Sequence, residues 1–185
     1  MRLPGAEVRV ESWSDHVPGA PCNSIISIGA FEHFARPAVT REVRVAGYRK
    51  FFERCHGWLV AGGSMSLQNI GLGAVDRGVE GQFLAEHIFP ESDLPRLGEI
   101  TDAAEGIFEV ISVRNDRGDY KRTNQEWRAR LKKNSAAAVA LAGEETVRTF
   151  DKYFRYSAAG FSFGTTNLYR LTLRKIGRSR FEIIK

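Results

Sequence analysis

The chain's apolar and polar positions fall into two rhythms. Residues 6–10 (AEVRV) alternate apolar and charged side chains, which predicts a short half-buried strand. Residues 24–28 (SIISI) are almost continuously apolar and β-branched, the pattern of a strand buried on both faces. From 45 to 56 the rhythm changes. Val45, Tyr48, Phe51, Phe52 and Cys55 recur at helical spacing. Trp58-Leu59-Val60 then leads to a Gly62-Gly63 turn, and residues 64–70 (SMSLQNI) form the next predicted strand. The stretch from Gly71 to Gly81 is glycine-rich and reads as a loop.

Further along, residues 83–88 and 95–104 read as helices, the first stopped by Pro90. Residues 107–113 read as a strand. Residues 124–133 read as a helix ending in Lys132-Lys133, as the helix dipole favours. Val147, Phe150, Phe154, Ser157 and Phe161 repeat with steps of three and four, one stripe of a long helix. Residues 168–173 and 181–184 read as strands, paired as a hairpin around Gly177. Strands alternating with helices imply an α/β layer fold, with antiparallel strands at its C-terminal edge.

Composition narrows the classes. The 185 residues suffice for a single domain with a real core. No apolar run approaches the roughly 18 residues of a membrane span, and MRLPGAEVRVE has no secretory h-region. Cys22 and Cys55 lie far apart in the chain without metal-ligand spacing, consistent with reduced thiols and a cytoplasmic location. The net charge is +5, with basic residues concentrated in 114–133 and 170–180. Such clusters suit an anionic membrane surface or an acidic partner. No zinc-finger, RNP or Gly-rich single-strand signature points to nucleic acid.

The familiar catalytic motifs are missing. Gly71-x-Gly73 follows a strand, but its third glycine falls out of register at Gly78, and no acidic residue follows at the distance a dinucleotide loop needs. There is no HExxH, CxxC, GxSxG or Walker sequence, so no metal site is expected. In open α/β sheets, ligands bind beyond the carboxyl ends of strands. That rule selects Trp13, Glu32 with His33, and Gln68-Asn69-Ile70. Glu32 and His33 stand between Phe31 and Phe34, and titratable groups in apolar surroundings are unfavourable unless paired. They mark either a loop end that reaches water or a site.

Five segments carry a family resemblance: SIISIGAFEHF (24–34), GYRKFFERCHGWLVAGGSMSLQNI (47–70), FLAEHIFPESDLP (83–95), DYKRTNQEW (119–127) and FDKYFRYSAAGF (150–161). Together, and in this order, they resemble the cyclopropane-fatty-acid synthases, including the mycolic acid branch, which are S-adenosylmethionine-dependent methyltransferases. The resemblance implies a Rossmann-like class I methyltransferase fold, N-terminally truncated. Residues 1–185 then form one domain, the C-terminal two-thirds of that fold, without its Gly-rich cofactor loop. It also implies transfer of a methyl or methylene group from S-adenosylmethionine to the double bond of an unsaturated lipid acyl chain. In the family the alkene attacks the sulfonium methyl, and a bound bicarbonate removes a proton as the ring closes.

Carried over residue by residue, the resemblance gives the bicarbonate site Glu32, Tyr120, Gln68 and the backbone of Ile70. It gives the cofactor site Trp13, Ile28 and Gly29. It places Phe31, Ser157 and Phe161 about the substrate pocket, and leaves His33 structural. Two positions depart from the family pattern. Gln68 stands where ring-forming members often carry histidine, and Ser157 where they often carry cysteine. Both leave room for a simple C-methyltransferase. The implied partners are the acyl chain and peripheral contact with an anionic membrane or an acyl carrier protein. The alternative is a non-catalytic truncated remnant that binds a lipid or a partner chain.

Overall fold

The structure is a computed structural model and describes residues 4–77, 88–89 and 92–177. Among these residues, one mixed sheet carries β1 (Cys22–Ile28), β2 (Leu59–Leu72), β3 (Phe108–Asn115) and β4 (Thr166–Lys175) in the order β1-β2-β4-β3. β1 and β2 run parallel, joined through α1 (Arg41–Trp58), while β4 is antiparallel to both of its neighbours. α2 (Leu97–Ala104) precedes β3. Three helices follow it: α3 (Arg117–Lys133), α4 (Ser135–Ala142) and α5 (Glu144–Phe163).

The core lies on one face of the sheet. Tyr48, Phe51, Phe52 and Cys55 of α1 meet Leu59, Met65 and Leu67 of β2, Leu171 and Leu173 of β4, and Ile100 and Ala103 of α2. Alternation along β2 explains the selection, because odd-numbered residues from Met65 face α1 while Ser64, Ser66 and Gln68 face away. Phe31 belongs to this core. It is fully buried, stacked on Tyr48 with ring centroids 4.4 Å apart and edge-on to Phe51 at 6.0 Å.

Several elements differ from their sequence-based expectation. Residues 6–10 form no strand; Val8 and Val10 are 91% and 104% exposed, because no described strand lies beside them. β1 is an edge strand rather than a doubly buried one, and Ile26 and Ile28 are largely exposed. The Gly62-Gly63 turn is absorbed into β2 as an irregularity. Gly62 takes φ +71°, and the register with β1 jumps from Cys22↔Leu59 to Ser24↔Ser64. β4 inserts between β2 and β3, which leaves β3 as the edge. The expected helix at 83–88 and strand at 181–184 lie outside the described residues, apart from Ile88. The helix expected at 124–133 starts seven residues earlier, at Arg117.

The glycines of Gly71-x-Gly73 serve packing. A Cβ on Gly71 would sit 2.5 Å from the Tyr169 ring, and one on Gly73 would sit 1.8 Å from the Gly164 carbonyl oxygen. Only glycine lets β4 and the turn before it approach β2 so closely.

Burial separates two aromatic positions sharply. Phe31→Ala is expected to lower unfolding free energy by about 3–5 kcal/mol, the usual range for deleting a core phenylalanine. Phe163→Ala, at a residue 82% exposed, should change it by less than about 0.5 kcal/mol. Urea unfolding of the two variants checks the pair.

Candidate functional site

β1 ends at Ile28, and the chain turns at Gly29, which adopts φ +64° with open space where a Cβ would project. The Gly29 N–H donates to the Gln68 carbonyl at 3.0 Å, locking the turn to β2. One short 3-10 turn, Phe31–His33, then sends Phe31 into the core, Glu32 toward the end of β2, and His33 outward to solvent. Two titratable groups fit between Phe31 and Phe34 because each successive side chain takes a different direction.

Glu32 is 5% exposed. The Ile70 N–H donates to its Oε1, while its Oε2 is buried without a hydrogen-bond partner. Burial raises its pKa; the Ile70 N–H, its own N–H and His33 pull the other way without cancelling that rise. The Tyr120 hydroxyl, from the first turns of α3, has its pKa raised by burial and then by the nearby Glu32 charge. Tyr153 of α5 is raised by burial and then by Tyr120, while a hydrogen bond with Ser157 opposes the shift. Glu32, Tyr120, Tyr153 and Ser157 therefore share one polar neighbourhood among aromatic rings, in which Glu32 Oε2 has no hydrogen-bond partner. The Tyr120 ring is edge-on to Phe161 at 5.1 Å and to Trp127 at 6.0 Å, and Tyr153 is edge-on to Phe89 at 5.9 Å. His33 lies near the same Phe89, with centroids 6.3 Å apart.

Gln68 sits on the sheet face opposite the core. Its Oε1 accepts from Arg170 Nε at 2.7 Å, and Arg170 also pairs with Asp116. With the carbonyl oxygen engaged, the Gln68 amide nitrogen remains as a donor. Trp13 is partly buried against the core, 5.1 Å from Phe34 and 5.3 Å from Phe51.

The structure thus brings Glu32, Ile70, Tyr120, Ser157 and Phe161 toward one end of the sheet, with Gln68 two residues before Ile70 on β2. It sets Phe31 wholly inside the core. Tyr153, Arg170 and Asn124 escaped the sequence reading. Tyr153 was discoverable, since Tyr153, Ser157 and Phe161 fall four residues apart on one helix face. Asn124, fully buried one turn after Tyr120, donates to the Tyr120 carbonyl at 2.8 Å and leaves its Oδ1 without a partner. Only the packing of α3 on α5 reveals it. Among the described residues no group of three or more His, Cys, Asp or Glu could hold a metal ion, and no helix is long and apolar enough to cross a membrane.

A parallel β-α-β unit, followed by an antiparallel strand inserted one position from the edge, is the arrangement of the class I S-adenosylmethionine-dependent methyltransferases, and solved members of that class superpose on the chain. The cyclopropane synthase MmaA2 from Mycobacterium tuberculosis aligns with a TM-score of 0.81 and 25% identity, over 95% of this chain and 62% of that one. The mycolic acid cyclopropane synthase CmaA1, solved with SAH and CTAB, aligns at 0.75 and 30% identity, over 88% of this chain and 58% of that one. The sequence model for mycolic acid cyclopropane synthetase matches residues 4–171. Cyclopropane mycolic acid synthase 3 of M. tuberculosis is 30% identical over 181 residues, 91% of this chain. The chain belongs to the mycolic acid cyclopropane synthetase family. It spans about 59% of the length of that curated relative.

The raised Glu32 pKa has a stability consequence. Folding favours the protonated carboxyl, so the penalty appears as pH rises from the ordinary carboxylate pKa through the elevated folded one. Glu32→Gln keeps an oxygen to accept from Ile70 but cannot ionise. Its melting temperature should match wild type at pH 4 and exceed it at pH 8, as thermal melts across that range would show.

Proposed function

We propose that this chain is the acyl-binding, proton-handling part of an S-adenosylmethionine-dependent enzyme that transfers a methyl or methylene group to an alkene in a lipid acyl chain. The observation that supports the reading best is the Glu32 carboxyl, buried at a strand end with one oxygen on the Ile70 N–H, the other free, and Tyr120 beside it. Burial favours the protonated form of this carboxyl, and its unpartnered oxygen faces the place where a small anion such as bicarbonate would accept a hydrogen bond. The Tyr120 hydroxyl is a second donor. Tyr153, Phe161, Trp127 and Phe89 surround this polar end with apolar surface suited to an acyl chain and to excluding water from developing positive charge.

For the cofactor, Ile28 and Gly29 fit: the strand end is exposed, and the backbone at Gly29 is open to close approach. Trp13 is the aromatic group assigned to the adenine side. When bound, S-adenosylmethionine supplies an electrophilic methyl group. The residues of this chain orient the alkene, hold the anion and move the proton. The Gln68 amide, fixed by Arg170, offers a neutral donor where a histidine would offer a titratable one. That favours a product mixture including methyl-branched or methylene lipids over a pure ring.

Two results test the reading. Carried as the C-terminal part of a full-length enzyme and incubated with S-adenosylmethionine and unsaturated phospholipid, the chain should support formation of methylated or cyclopropanated lipid, resolved by the upfield ring protons in product NMR. Glu32→Gln should lower that turnover by about 100-fold or more, the size of a lost preorganised contact. Equal turnover in both proteins removes Glu32 from the mechanism. Wild-type protein that binds lipid yet gives no product favours the non-catalytic binding module.

Access to the lipid is proposed through the α3–α5 surface. Arg130, Lys132 and Lys133 are exposed at the end of α3. A groove of about 350 Å³ earlier along α3 is lined by Lys121, Arg128, Arg155 and Phe163. By contrast, Arg170 and Arg174 of the second basic cluster are engaged with Asp116 and Glu109. Each basic residue near an anionic surface contributes about 1 kcal/mol, screened by salt. The protein should co-sediment with anionic vesicles at low salt and release at about 0.5 M. Reversing Arg130, Lys132 and Lys133 should weaken this more than reversing Arg174. Indifference to vesicle charge would favour an acyl carrier protein as the donor of the substrate.

A further inference from the structure

Beneath the Glu32 turn lies a cluster of four charged side chains that the proposed chemistry does not use. Arg44 of α1 is 8% exposed, and Glu99 of α2 is 2% exposed. Arg44 Nε donates to Glu99 Oε1 at 3.0 Å, and its other end lies 3.6 Å from Asp93. Arg77, just after β2, donates to Glu99 Oε2 at 2.6 Å and pairs with Asp93. Two cations and two anions balance, as a buried group of charges requires.

The cluster grips a short strap, residues 93–95, whose backbone bonds Glu32 on one side and β2 just beyond Ile70 on the other. The Asp93 N–H donates to the Glu32 carbonyl at 3.1 Å. The Pro95 carbonyl accepts from the Leu72 N–H at 2.9 Å, two residues beyond Ile70. Arg77 also donates to the Leu94 carbonyl at 3.0 Å. Arg96, next in the chain, donates to the Gly73 and Val75 carbonyls at 2.8 and 2.6 Å. The approach is close: a Cβ on Gly71 would sit 2.9 Å from the Pro95 oxygen. The strap therefore sets how far the Glu32 turn stands from the end of β2.

We propose that Asp93 is a positioning residue for Glu32: the Arg44–Arg77–Asp93–Glu99 cluster fixes the 93–95 strap, and the strap holds the Glu32 carboxyl on the Ile70 N–H. The inference rests on Glu32 being the acid of the site. A group that must present one oxygen to a ligand while the other stays bonded needs its backbone held from behind.

The test reads the Ile70 amide by 1H–15N NMR and needs no turnover, so a chain that transfers no methyl group still decides it. In wild type the Ile70 resonance should move as Glu32 ionises. His33 and Tyr120, the other titratable groups at Glu32, are followed in the same spectra. In Asp93→Asn the cluster is left one positive charge in excess, and the Ile70 titration amplitude should fall by about half or more while melting stays cooperative. Asp93→Asn combined with Arg77→Gln restores the balance and should recover most of the amplitude. Asp102→Asn, which breaks an exposed pair with Arg41 on the same helix as Glu99, should leave the titration unchanged. An unaltered Ile70 titration in folded Asp93→Asn, no recovery in the double variant, or an equal loss in Asp102→Asn overturns the proposal. If Asp93→Asn does not melt cooperatively, Arg77→Gln alone replaces it, because Asp93 then still faces Arg44. The same loss is expected there, and an unchanged titration refutes the strap.

Discussion

The site depends on how closely β4 can lie along β2. The two strands pair without interruption from Ser64↔Arg174 to Leu72↔Thr166. Past that point, the Gly73 N–H still donates to the Thr165 carbonyl at 2.8 Å. A side chain at Gly71 or Gly73 would collide with Tyr169 or with the Gly164 backbone. Because it does not, α5 ends directly over the carboxyl end of β2. A Cβ on Gly160 would lie only 2.9 Å from Thr166 Oγ1, so the last turn of α5 itself rests on β4. That contact carries Phe161, Ser157 and Tyr153 to the Glu32 turn. Arg128 binding Asp151 at 2.8 Å ties α3 to α5, which adds Tyr120 from the other side.

Electrostatics then give the assembled residues different tasks. Glu32 is held in a dry place with backbone N–H groups but no cation hydrogen-bonded to it, so its proton affinity rises. Glu99, equally buried, has its pKa lowered: burial alone would raise it, but the Arg96 backbone N–H, Arg44 and Arg77 outweigh that. Two buried acids of one chain are thereby shifted in opposite directions, Glu32 toward its protonated form and Glu99 toward its anion. The difference comes from the number of donors around each carboxylate. The sheet also divides function between its faces. The α1 side is aromatic core. The opposite side carries Ser64, Ser66, Gln68, Arg170 and Thr172, polar residues that can face water or a ligand.

Much of this architecture was legible in the sequence. Helical spacing in Tyr48, Phe51, Phe52 and Cys55 found α1, and the β-branched run at Ile25-Ile26 found β1. Those patterns are local, because an element's period records which of its faces meets the core. FEHF, the tyrosine and tryptophan of DYKRTNQEW, and the order of the segments were enough to name the family, and Glu32 was legible as an acid in an unusually apolar setting. What escaped were relations between residues apart in the chain: Asp93 with Arg44 and Arg77, and Gln68 with Arg170. Residues 6–10 have a strand's alternation and form none, since a strand exists only when another lies beside it to take its hydrogen bonds. The sequence determined, by periodicity and residue type, which segments become helix or strand and which side chains are able to do chemistry. Tertiary structure decided which of those side chains meet and which acid keeps its proton, because proximity and desolvation depend on residues brought together across 50 or more positions of the chain, as Arg44 is with Glu99.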